Sequence, residues 1–172
     1  CALGHCHPAL VRAIREQAGK LMHVSNLYYI KPQAELAELL ARVTPGDIKR
    51  FFFCNSGAEA VEAALKLAVK HTQRSRFVVM EGSFHGRTAA AVGATWQASY
   101  RKPFEKLIPK IFDFVPFDDL DAVKRALTPK TAGVIVEPIQ GEGGVRVPSA
   151  DFLPGLRAVS YTHLRAHETE AD

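Results

Sequence analysis

At 172 residues, with 47% hydrophobic and 23% charged side chains, the chain has a globular composition and enough apolar material for one sizeable core, which excludes a fibrous or disordered protein. Lys and Arg total 22 against 18 Asp and Glu, a net charge of +4, and the basic residues stand singly along helix-like stretches. That pattern argues against nucleic acid as the main partner and leaves a small anionic ligand open.

Cys1, Cys6 and Cys54 share no repeated spacing, and no apolar stretch is long enough to cross a bilayer, so the sequence predicts a reduced, cytoplasmic protein with no membrane partner. The chain opens on Cys1 and not on Met, which leaves a preceding segment open. From Pro8 to Leu21 the apolar residues Leu10, Val11, Ile14, Ala18 and Leu21 recur at spacings of three and four, the pattern of an amphipathic helix with Pro8 in its first turn. A second such helix is predicted from Pro32 to Val43, ending before the turn pair Pro45-Gly46.

After these helices, short apolar runs alternate with helical stretches. Strands are predicted at Phe51–Cys54, Phe77–Met80, Ile111–Val115 and Gly133–Val136. Helices are predicted at Ala58–Lys70, after Arg87 and at Leu120–Leu127. Continuous apolar strands separated by helices predict an α/β fold, a mainly parallel sheet with helices on both faces, preceded by the N-terminal helices. The expected organisation is a helical segment 1–46, a sheet domain 47–157 and a tail 158–172. From Val159 the sequence VSYTHLRAHETEAD breaks the alternation and reads as a non-native extension.

Three motifs stand where such a sheet meets its helices. Asn55-Ser56-Gly57-Ala58-Glu59 joins a strand to a helix, where unpaired N–H groups and the dipole favour an anion, making Ser56, Gly57 and Ala58 a candidate phosphate cradle. The same residues also read as plain capping by Asn55 or Ser56, and on spacing alone capping stands first. Gly82-Ser83-Phe84-His85-Gly86-Arg87-Thr88 follows the next strand. Phe84 there can stack on a planar ring and Arg87 can grip a carboxylate, or Phe84 is core, His85 a cap and Arg87 solvated. Glu137-Pro138-Ile139-Gln140-Gly141-Glu142-Gly143-Gly144 leaves the last strand, where open α/β sheets bind ligands, and Glu137 and Glu142 are either acid–base groups or ordinary loop acids.

No G-x-x-x-x-G-K-[ST] and no G-x-G-x-x-G is present, which disfavours kinases, NTPases and dinucleotide enzymes, and no G-x-S-x-G supports a hydrolase. The cluster Gly4-His5-Cys6-His7-Pro8 matches no zinc spacing, and His7 reads better as a helix cap. Trp96 and Tyr100, four apart, read as packing residues in helical register.

Taken in order, LGHCHP, FFFCNSGAEAVEAALKLA, SFHGRT and VIVEPIQGEGG resemble the class III pyridoxal-phosphate-dependent aminotransferases, over residues 1 to about 157. The spelling CNSGAEA, GATW and PIQGEGGV is most similar to the acetylornithine and ornithine branch. The resemblance implies a truncated fold type I and pyridoxal 5'-phosphate (PLP) as cofactor. It also implies an ω-amino acid as donor, 2-oxoglutarate as acceptor and a homodimer in the parent protein. It implies that Ser56, Gly57, Ala58, Phe84, His85 and Glu137 bind the cofactor, and that Arg87, Glu142 and, at the substrate entrance, Tyr28 or Tyr29 face substrate. The family's D-E-x-Q aspartate and its Schiff-base lysine have no counterpart in the chain. A catalytic residue is therefore not assigned, and the chain alone is expected to be inactive. A non-catalytic module for a phosphate ligand or a partner, and an aminomutase on the same scaffold, are the competing readings.

Overall fold

A computed structural model describes residues 1–164, and the chain divides into two compact units, Cys1–Phe52 and a second that begins at Phe53. In the first unit, α1 (Pro8–Ala18) starts at His7, whose Nδ1 accepts from the Ala9 N–H at 3.3 Å, the capping role that its place before Pro8 predicts. The helix stops three residues before Leu21 and closes at Gly19, whose N–H donates to the Arg15 carbonyl at 3.3 Å. Helix α2 (Lys31–Val43) carries Pro32 in its first turn and closes at Thr44, whose hydroxyl donates to the Leu40 carbonyl at 2.8 Å. Neither helix has a buried residue.

Phe51–Cys54, expected as a strand, is irregular. A strand exists only through a ladder partner, and none of the described strands pairs with this stretch, so the apolar run alone does not make one.

The second unit opens with α3 (Gly57–Thr72), followed by β1 (Arg76–Met80), α4 (Ala89–Gly93) and α5 (Ala98–Arg101). A 3-10 turn (Lys102–Phe104) leads to β2 (Phe112–Val115), α6 (Leu120–Ala126), β3 (Thr131–Ile135) and α7 (Phe152–Leu164). The strands form a parallel sheet in the order β2-β1-β3, with Phe77 opposite Phe112 on one side and Gly133 on the other. β1 is therefore central, and its last four residues are buried.

Because side chains alternate along a strand, β1 feeds two cores. Phe77 and Val79 pack with Leu65 of α3 and Ala94 on one face, while Val78 and Met80 pack with Val123 of α6 and Phe152 and Leu156 of α7 on the other. Each such side chain contributes about 1.5–3 kcal/mol by leaving water. The helices thus cover both faces of the parallel sheet, the architecture the sequence predicts. Trp96 and Tyr100 do not share a helix: α4 ends at Gly93, α5 begins at Ala98, and between them the Trp96 N–H donates to the Ser83 carbonyl at 2.9 Å. Helix α7 continues through Val159 to Leu164, and the rest of the expected tail, 165–172, lies outside the described residues.

Candidate functional site

β1 and β3 are neighbours and run the same way, so the loops that leave their C-terminal ends come out side by side. Those loops carry Gly82–Thr88 and Glu137–Gly144. The N-terminus of α3 completes the group, because a side chain on Gly86 would stand 2.7 Å from the Ala58 Cβ. Gly86 also has φ 129°, a backbone state that favours glycine. The second motif is thereby seated directly on the first.

At the head of α3, Ser56 is the cap and its Oγ accepts from the Glu59 N–H at 3.2 Å. Glu59 in turn reaches back, its Oε2 accepting from the Asn55 N–H at 2.7 Å, a near capping box. The capping reading of Asn55-Ser56 thus holds. The Gly57 and Ala58 N–H groups have no partners within the helix, the helix is 16 residues long, and the space beside Gly57 is open.

Glu137 ties the second and third motifs together. One carboxylate oxygen accepts from the Phe84 N–H at 2.7 Å and the other from the Gly141 N–H at 3.2 Å. His85 is held by its own N–H, which donates to the Thr95 hydroxyl at 3.0 Å, and its buried Nε2 has no partner. Burial pushes the His85 imidazole below its ordinary pKa, with the nearby Glu137 charge pulling the other way, so a neutral ring that can accept a hydrogen bond is favoured. Arg87 and Glu142 are exposed, and both reach Tyr100: the guanidinium lies 4.7 Å from the ring centroid, and the phenol O–H donates to Glu142 Oε1 at 3.1 Å. Phe84 meets the same ring edge-on at 6.0 Å. Tyr28 and Tyr29 belong to the first unit, on an exposed turn before α2.

Three supporting residues escaped the sequence reading. Glu62 of α3 accepts from the Thr88 hydroxyl at 2.6 Å and from the Ala90 and Ala91 N–H groups at 2.9 and 3.2 Å, capping α4 from outside. Burial pushes its carboxyl up, but the hydrogen bonds from Thr88, Ala91 and Ala90 and the Lys66 charge together outweigh it and hold the pKa below the usual value. Thr95, fully buried, accepts from the His85 N–H and shares its single O–H between the Ala91 and Gly86 carbonyls, at 3.0 and 3.2 Å. Tyr100 is a hub, not only packing. Glu62 lies one helical turn past Ala58, so the α3 periodicity placed it on that face, but nothing in the spacing of Thr95 or Tyr100 announces a role.

Among the described residues no helix is long and apolar enough to cross a membrane. The family model described as "Aminotransferase class-III" matches residues 1–165. The chain is 54% identical over 161 residues to the acetylornithine aminotransferase of Methanopyrus kandleri, covering 94% of this chain and 41% of that protein. Among solved structures, the ornithine aminotransferase of Toxoplasma gondii superposes with a TM-score of 0.85 at 28% identity, over 93% of this chain and 39% of that one. The taurine:2-oxoglutarate aminotransferase of Bifidobacterium kashiwanohense, solved with PLP and glutamate, gives 0.87 at 27% identity, over 94% and 42%. The chain therefore spans about two fifths of the length of the relatives it matches.

Proposed function

The chain belongs to the aminotransferase class-III family, whose cofactor is PLP, and we propose that the complete protein moves an amino group from an ω-amino acid of the acetylornithine or ornithine type to 2-oxoglutarate. Its second unit is part of the PLP-dependent transferase fold of type I. The observation that carries the functional reading is the assembly of three separate motifs at one place. Ala58 abuts Gly86, and Glu137 takes the Phe84 N–H, at the open end of a long helix.

The residues present fit the cofactor. The free Gly57 and Ala58 N–H groups would hold its phosphate, with Ser56 beside them, and the Phe84 and His85 segment, fixed by Glu137 and Thr95, would line its ring. When bound, PLP supplies the electron sink for the amino-group transfer. Arg87, charged and exposed, would bind a substrate carboxylate through two parallel hydrogen bonds, with Glu142 also facing substrate. A homodimer completes the reading, supported by the unburied apolar faces of α1 and α2.

None of the chain's lysines stands in the sequence context in which the family attaches its cofactor, so the 172-residue chain by itself is expected to release no product. The test is to incubate the purified, PLP-loaded complete protein with N-acetylornithine and 2-oxoglutarate and to measure glutamate. Formation of glutamate with the complete protein and none with the 172-residue chain is the expected result. Turnover by the short chain alone would overturn the second half of the reading, and no turnover of any ω-amino acid by the complete protein would overturn the first.

A further inference from the structure

Tyr100 sits between an exposed cation and an exposed anion from different loops. Arg87 comes from the loop after β1 and lies over the ring face, while Glu142 comes from the loop after β3 and accepts from the phenol. Among the described residues no Arg87–Glu142 ion pair forms. Each is engaged by Tyr100 instead, the cation at the ring face and the anion at the hydroxyl. A tyrosine can do both tasks, since the ring face attracts a guanidinium and the O–H donates to a carboxylate, whereas phenylalanine keeps only the first.

The ring itself is well braced. Phe84 packs on it edge-to-face, and α5, which carries it, is tied back by the Arg101 guanidinium donating to the Trp96 carbonyl at 3.0 Å. Tyr100 is half-buried, so its orientation is set by the protein before any ligand arrives.

We propose that Tyr100 is a positioning residue for substrate: its ring presents the Arg87 guanidinium to an incoming carboxylate while its hydroxyl keeps Glu142 from neutralising that guanidinium. The inference rests on the aminotransferase reading for the identity of the substrate, but its geometry requires only that Arg87 bind a carboxylate. Tyr100 acts through Arg87 and Glu142 and touches no reacting atom.

The experiment uses the full-length, PLP-loaded protein with Tyr100→Phe and Tyr100→Leu. Binding of glutarate, a dicarboxylate with no amine to react, is measured by calorimetry alongside KM and kcat for an ω-amino acid and for a simple alkylamine. Tyr100→Leu, which removes both ring face and hydroxyl, is expected to weaken glutarate binding about 10-fold, and Tyr100→Phe about 3-fold. KM for the amino acid should rise more than kcat falls, while KM for the alkylamine, which has no carboxylate, stays put. In an Arg87→Ala background either Tyr100 change should add less than about 2-fold. Glutarate binding that ignores Tyr100, an equal loss with and without Arg87, or no glutarate binding by the unmodified protein overturns the proposal. Tyr100-dependent glutarate binding without any transamination would instead sink the aminotransferase reading and leave Tyr100's role standing.

Discussion

Glu62 is the residue on which the second motif hangs. Its one carboxylate oxygen receives the Thr88 hydroxyl and two N–H groups at the start of α4, satisfying donors that the five-residue helix cannot satisfy itself. Replacing Glu62 by Ala is expected to cost roughly 1–2 kcal/mol, the range for a lost helix cap, read as a lower denaturation midpoint. Because its folded pKa is depressed, that contribution is present above the ordinary carboxylate range and is lost as pH falls through the folded value. His85 titrates with the opposite charge but the same direction. Burial keeps it neutral in the fold, so the unfolded chain binds more protons, and stability is full above about pH 6.5 and declines below it. His85→Gln should therefore flatten the loss of stability between about pH 6.5 and 5, and urea titrations at the two ends would show it. An unchanged slope would mean that the ring is not desolvated. The residues of the three motifs were legible in sequence because each stands beside a glycine or a helix start. Thr95 and Tyr100 were not, because their partners lie 10 and 42 residues away and no local pattern records a contact across a fold.

Among the elements, α3 and the two loops behave as a unit because glycine lets them touch. Gly86 has φ 129° and faces Ala58 and Ala91, so an added methyl would meet the Ala58 Cβ at 2.7 Å and the Ala91 Cβ at 3.1 Å. A methyl on Gly143 would strike the Gly82 carbonyl oxygen, which locks the two loops to each other as Gly86 locks one of them to the helix. Gly86→Ala is thus expected to destabilise by about 1–3 kcal/mol and to push the loop off the head of α3. In the complete protein, the check is a lower melting temperature together with weaker PLP retention on dialysis. A variant that melts lower yet keeps PLP as the parent does would separate the packing from the cradle. The helices were readable from their apolar spacing to within a few residues, and their caps, His7, Ser56 and Asp119, explain where they start. Phe51–Cys54 was misread because an apolar run of four specifies burial but not a partner, and a strand needs both.

At the scale of the molecule, apolar surface is distributed unevenly. The sheet unit buries Phe77, Val78, Val79 and Met80 almost completely, whereas in the first unit Leu10 and Ile14 of α1 are 52% and 60% exposed and Leu39 and Val43 of α2 are 55% and 68% exposed. These are the same residues whose three-and-four spacing identifies the helices as amphipathic, so the stripes that should face a core face water. An amphipathic helix owes most of its stability to packing of that stripe, and isolated helices of 11 and 13 residues are marginal. On the aminotransferase reading proposed above, a homodimer would supply the covering surface. The 172-residue chain on its own is accordingly expected to self-associate and to bind a hydrophobic dye such as anilinonaphthalene sulfonate, while the complete protein elutes as one defined species with little dye bound. Light scattering on the eluted peaks distinguishes the two. A monodisperse, dye-silent monomer from the short chain would mean that α1 and α2 find cover within it, and would remove the support that their bare faces lend to the dimer.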